Sequence, residues 1–213
     1  MSLVFPSTHP LVLDKVAQLR AAETRPREFR GLVRALAALL GQEATADLVT
    51  RPIAIETPLG TAEGQTIADV VGIIPILRAG LGMAEGLLEL LPEAEVWHIG
   101  LYRDETTLLP TEYYHKVPMH PRISLGLIVD PMLATGGSAV RACEILKEAG
   151  VKRLKLITLI AAHVGIERMT AAMPDVPIHV AAIDSHLTEF GFIYPGLGDA
   201  GDRQFGTSPL END

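Results

Sequence analysis

The chain has 213 residues, 48% hydrophobic and 21% charged, enough for one sizeable core and too apolar for a disordered polymer. Its 18 basic and 26 acidic residues leave a net charge of −8, which disfavours nucleic acid and anionic membranes as general partners. A single cysteine excludes an internal disulfide, and no apolar run approaches the roughly 20 residues that span a bilayer.

The N-terminus, MSLVFPSTHP, has neither a basic start nor a long apolar stretch, so we expect a cytoplasmic protein and one domain over 1–213. Pro10 to Ala22 and Pro26 to Leu40 carry apolar residues at helical spacing, each with a proline near its start. Ile53 to Ala68 alternates around Pro58-Leu59-Gly60 and predicts a hairpin. Repeated units follow. The apolar run Val70–Ile76 leads to a helix near Gly80–Leu91, then a strand at Glu95–Leu101 and a long polar connection, Tyr102–Arg122. Next come a strand at Ile123–Val129, a helix at Ser138–Ala149, a strand at Arg153–Ala162, a helix near Ile166–Ala172 and a strand at Ile178–Ile183. Apolar strands alternating with helices predict an α/β fold: a mostly parallel sheet with helices on both faces, onto which the N-terminal helices and hairpin pack.

Two irregular segments exceed the dozen or so residues usual for structureless connections, which marks them as functional loops. Tyr102–Arg122 reads either as an exposed hairpin or arm gripping another subunit, or as a lid that keeps water from a reaction centre. The tail, Asp184 to Asp213, reads as a solvated acidic terminus or as a folded cover. Phe192, Ile193, Tyr194 and Leu197 would be wasted in the former.

The most informative stretch is LIVDPMLATGGSAVRACEILKEAG, Leu127 to Gly150. A buried strand ends at Asp130, and ligands of open parallel sheets bind beyond such carboxyl ends. Gly136 and Gly137 let backbone N–H groups approach an anion, Thr135 and Ser138 offer hydroxyls, and the helix that follows points its positive end at the same place. No lysine follows the glycines, which excludes the nucleotide-triphosphatase loop. The alternative is a tight strand-to-helix turn capped by serine. Asp130, however, adds an acceptor for two vicinal hydroxyls, and phosphate plus diol describes a ribose 5-phosphate.

This loop resembles the phosphoribosyl diphosphate (PRPP) loop of type I phosphoribosyltransferases, in the form found in uracil phosphoribosyltransferases. The resemblance continues through EATADL (Glu43–Leu48), IPILRAGLGM (Ile74–Met83), GLYRDETTL (Gly100–Leu108) and YPGLGDAGDRQFGT (Tyr194–Thr207), in order along nearly the whole chain. Most relatives begin the loop with two acids; here, as in the uracil branch, Pro131 follows a single Asp130.

The resemblance implies transfer of a phosphoribosyl group from PRPP to uracil, giving UMP and diphosphate in pyrimidine salvage. It assigns PRPP to Arg78, Arg103, Asp130, Pro131, Met132, Leu133, Ala134, Thr135, Gly136, Gly137, Ser138 and Asp199. It assigns uracil to Ile193, Gly198, Asp199 and Ala200, largely through backbone groups, with the N-terminal region and the tail from about 184 forming a hood. Asp130, Arg103 and Asp199 are the implied catalytic residues. Mg²⁺ is the implied cofactor, held mainly by diphosphate and water, with Asp199 or Asp202 nearby. A homodimer or homotetramer is also implied, and in some members GTP is an allosteric activator.

Other chemistries fit less well. His98, His115, His120, His163, His179 and His186 show no helical zinc-ligand spacing. Cys143 falls on the apolar side of its helix, and Ser138 has no evident histidine partner. The competing reading is a regulator of pyrimidine genes that uses the same fold to bind RNA, which would need a basic face that this composition does not suggest.

Overall fold

The computed structural model describes residues 3–103, 110–118 and 121–207. In chain order the elements are β1 (Val4–Pro6), α1 (Pro10–Arg20), α2 (Pro26–Ala44), β2 (Thr50–Thr57), β3 (Gly60–Ile67), β4 (Val71–Leu77), α3 (Leu81–Leu90), β5 (Glu95–Val96), β6 (Ile99–Arg103) and β7 (Pro110–His115). They continue as β8 (Leu125–Val129), β9 (Met132–Leu133), α4 (Gly137–Glu148), β10 (Leu154–Ala162), α5 (His163–Ala172), β11 (Ile178–Asp184), β12 (His186–Leu187), β13 (Ile193–Tyr194) and α6 (Ala200–Phe205).

The central sheet runs β1-β11-β10-β8-β4-β6-β7, with β5 beside β4 and β9 beside β10. Its pairings are parallel except β6 with β7. All residues of β8 and β10, and all of β4 but Leu77, are buried. Burial on both faces explains why these strands read as unbroken apolar runs. Val71, Ile73, Leu125, Leu127, Ile157 and Leu159 pack with α1, α2 and α3 on one face. Ile74, Ile76, Ile128 and Leu156 pack with α4 and α5 on the other. The expected α/β architecture is therefore observed. Among the described residues no helix is long and apolar enough to cross a membrane.

Several details differ from expectation. The strand at Glu95–Leu101 is two pieces, β5 and β6; between them the Trp97 N–H donates to the Ile73 carbonyl at 3.0 Å. The Tyr102–Arg122 connection contains a strand, β7, antiparallel to β6, so its described part includes one arm of a hairpin. The tail is structured too: β12 and β13 pair antiparallel, and α6 follows. Val4–Pro6 adds an edge strand to β11, in a segment too short and proline-bearing to announce itself. The β2–β3 hairpin turns at Pro58-Leu59 as expected, and it stands away from the core, with Leu59 fully exposed.

Cys143 is buried among apolar side chains, and burial pushes its thiol up to about 12, the behaviour of a packing residue. His179 on β11 is 8% exposed and stacks on Phe5, 5.1 Å between ring centroids. Burial, reinforced by the Lys155 ammonium, lowers its pKa from 6.5 to about 4. Between those values the unfolded chain binds a proton that the folded chain refuses. Stability should therefore fall as pH drops from about 6.5 to about 4, by on the order of 2 kcal/mol from His179, with the carboxylates adding to the fall below about pH 5. Urea unfolding across that window checks this, and His179→Leu should flatten the slope.

Candidate active site

The loop after β8 leaves the sheet gradually. The Asp130 N–H donates to the Ile157 carbonyl at 3.3 Å, and the Pro131 carbonyl accepts the N–H groups of Leu159 and Ile160 at 3.2 and 3.0 Å. Strand β9 then pairs with β10 for two residues before the chain turns away at Ala134. This anchoring fixes the Asp130 side chain, whose Oδ1 accepts the Met132 N–H at 3.4 Å.

Gly136 is the N-cap of α4, with φ +79°, and has no side chain to cap the helix. A Cβ there would come within 2.8 Å of the Gly165 carbonyl oxygen, and a Cβ on Gly165 within 2.4 Å of the Ala134 carbonyl oxygen. The loop and the start of α5 thus approach each other through two glycines. The left-handed residue is Gly136, whereas Gly137 is already helical. With no serine cap in place, the positive end of α4 faces a pocket of about 30 Å³ lined by Asp130, Met132 through Ala139, Leu156 and Thr158.

This pocket adjoins a cleft of about 840 Å³. One wall is Ala79, Asp130, Met132, Ala134 and Ser138; the other is tail: Glu189 to Ile193 and Gly198 to Gly201. The structure therefore brings Asp130, Met132, Ala134, Ser138, Ile193, Gly198, Asp199 and Ala200 to a single cleft, with Leu133, Thr135, Gly136 and Gly137 in the pocket beside it. Pro131 lines neither and serves as a sheet anchor. Arg78 stands at the end of β4, 58% exposed, with Nη2 3.4 Å from Asp202 Oδ1 and its guanidinium 6.0 Å from the Phe205 ring centre. Arg103 ends β6, and its side chain lies outside the described residues. Asp199 caps α6, its Oδ1 accepting the Asp202 N–H at 2.8 Å.

The tail is held from beneath. Arg20, at the end of α1, donates both terminal nitrogens to Asp184 at 2.7 Å and also reaches the Gly196 carbonyl at 2.7 Å. Asp184 in turn accepts the Gly196 N–H at 2.9 Å. Burial opposes the Asp184 charge, but Arg20 and that N–H together hold the carboxyl below the usual carboxylate range. Gly196 has φ +57°, and a Cβ on it would sit 2.1 Å from the Ile193 carbonyl oxygen. Arg203 of α6 donates to the carbonyls of Leu19, Ala21 and Leu197 and stacks on Phe29 at 4.5 Å. The tail through 207 thus packs on α1 and α2, whereas the β2–β3 hairpin, expected to join it, stands away from this assembly.

Sequence reading did not single out Ala79, Glu189, Phe190, Gly191 or Gly201 as lining, nor Arg20, Asp184 and Arg203 as supports. The available signal was the apolar content of the tail, with Phe192 and Ile193 both found in the cleft.

A parallel sheet with an acid-and-glycine loop after one central strand, roofed by a C-terminal hood, defines a phosphoribosyltransferase. The family model described as uracil phosphoribosyltransferase matches residues 6–207. The uracil phosphoribosyltransferase of Roseiflexus castenholzii is 55% identical over 207 residues, 97% of this chain and 100% of that one. That of Anoxybacillus flavithermus is 51% identical over 208 residues, again 97% and 100%. Among solved structures, the AQ2163 protein from Aquifex aeolicus superposes with a TM-score of 0.92 at 33% identity, covering 96% of this chain and 99% of that one. The chain belongs to the uracil phosphoribosyltransferase family.

Removing one member of a buried ion pair strands the other. Arg20→Leu should cost on the order of 2–4 kcal/mol, because Asp184 is only 7% exposed and would lose its counter-ion. Chemical denaturation measures that loss. Limited proteolysis should show new cuts between 186 and 207 before the sheet opens.

Proposed function

We propose that the chain transfers the 5-phosphoribosyl group of PRPP to N1 of uracil, releasing diphosphate and forming UMP. The observation that carries this reading is the joining of the Asp130–Ser138 loop and the Ile193–Ala200 hood in one cleft. The 5-phosphate would rest on the backbone N–H groups of 135–138 and on the Thr135 and Ser138 hydroxyls. Asp130 would accept the ribose 2- and 3-hydroxyls and fix the ring for in-line attack. As the C1–O bond to diphosphate breaks and the N1–C1 bond forms, the N1 proton is released. Positive charge builds on the ribose and negative charge on the leaving group. Arg78 and Arg103 would hold the latter without reacting.

Mg²⁺ would supply further charge neutralisation at the diphosphate. The ion would be bound mainly by phosphate and water oxygens. Asp199, which lines the cleft, and Asp202, 3.4 Å from Arg78, would be the carboxylates to meet its water shell. The resemblance extends the proposal to a homodimer or homotetramer activated by GTP, which chromatography and assays with and without GTP test.

If Ile193, Gly198 and Ala200 read the base through backbone groups, selection depends on the order of donors and acceptors. Uracil presents O2, N3–H and O4, whereas cytosine presents an acceptor at N3 and a donor at position 4. A rigid backbone edge fitted to one leaves buried groups unpaired with the other, worth a factor of about 10⁴. Purified protein with PRPP and Mg²⁺ should convert uracil and small 5-substituted uracils, and essentially no cytosine, adenine or guanine. Comparable turnover of cytosine would end the backbone readout, and purine activity would overturn the assignment.

A further inference from the structure

We propose that Gln204 is a positioning residue that sets the spacing between the two walls of the cleft, an inference that rests on the transfer reaction above. Gln204 lies on α6 with its side chain completely buried. Its amide nitrogen donates one hydrogen to the Ala79 carbonyl at 2.8 Å and the other to the Ala200 carbonyl at 3.1 Å. Both residues line the cleft, where the turn after β4 meets the first turn of α6. Ala79 follows Arg78 at the end of β4, and Ala200 begins the hood helix. One planar amide therefore ties the turn that carries Arg78 to the first turn of α6, at the junction of the two walls.

Its surroundings argue against a packing role. Among the described residues no donor reaches Oε1, which is buried and faces Gly82 of α3, where a Cβ would come within 2.3 Å of it. Val33 crowds the same spot. Reversing the amide would point Oε1 at two carbonyl oxygens, so the acceptors fix its orientation. A buried carbonyl oxygen without a donor weakens the fold; an apolar side chain of similar volume would remove that loss but leave the Ala79 carbonyl without its donor, so the two effects offset. Two further contacts join α6 to the same turn, from Arg78 to Asp202 and to the Phe205 ring, so α6 and the Arg78 turn form one unit with Gln204 at its centre.

Each wall can bind its own part of the substrates without Gln204. What it supplies is their relative placement, which matters most when diphosphate leaves as uracil attacks. Gln204→Leu removes both hydrogen bonds and the orphaned oxygen together. We expect its Tm within about 3 °C of wild type. Both KM values should stay within about threefold while kcat falls about tenfold or more, the pattern of an interaction realised in the transition state. Gln204→Glu supplies a second readout. A buried carboxyl between two carbonyls is pushed up in pKa, and once protonated it restores one donor. Its kcat relative to wild type should therefore recover in part from pH 8 to about pH 6, whereas the Gln204→Leu ratio stays flat. An unchanged kcat in folded Gln204→Leu protein overturns the inference, as does a kcat loss matched by a large fall in Tm. A wild-type protein that forms no UMP defeats the reaction itself, which separates the two failures.

Discussion

The roof of the cleft depends on the ion pair between Arg20 and Asp184. The segment 184–207 is rich in glycine and leaves Phe190, Phe192 and Tyr194 largely exposed, so hydrophobic burial alone does not hold its shape. The pair supplies what burial does not: a bidentate contact 2.7 Å long at each oxygen, with both polar groups of the Gly196 peptide tied into the same charge cluster. A buried pair of this kind adds little net stability against an apolar replacement. Its value here is geometric, since it places the turn that carries Gly198, Asp199 and Ala200 against the sheet edge. Arg203 repeats the device from the opposite side by gathering carbonyls from the end of α1.

The loop beneath follows a different rule. In a protein with a net charge of −8, a phosphate is held best where donors are dense and carboxylates few. Glycine at 136 permits the left-handed turn, the missing cap leaves α4 open at its positive end, and β9 pins the loop to β10. Arg78 stands at the end of β4, 58% exposed, and Arg103 is the last residue of β6. In the proposed reaction phosphate, ribose, diphosphate and base would meet four kinds of surface: backbone amides, a carboxylate, arginines and a backbone edge.

What could be read from the sequence follows from how local each signal is. The parallel strands were legible because burial on both faces writes itself as continuous apolar runs, and the loop because Asp130, Gly136, Gly137 and Ser138 are unusual together. The interruption after Val96 was not, since Trp97 is as apolar as its neighbours and pairing, not composition, breaks the strand. The supports of the hood were illegible for a plainer reason. Arg20 and Asp184 are 164 positions apart, and nothing near either one marks it as paired. Gln204 is harder still: it looks like a surface residue of a short helix until the fold buries it.

The central claim is that loop and hood bind two ends of one nucleotide. A crystal structure of the protein with UMP tests it most directly. The account predicts the 5′-phosphate within hydrogen-bond distance of the backbone N–H groups of 135–138, both ribose hydroxyls on Asp130, and the uracil edge against Ile193, Gly198 and Ala200. A phosphate bound away from α4, or a base turned from the hood towards solvent, would contradict it.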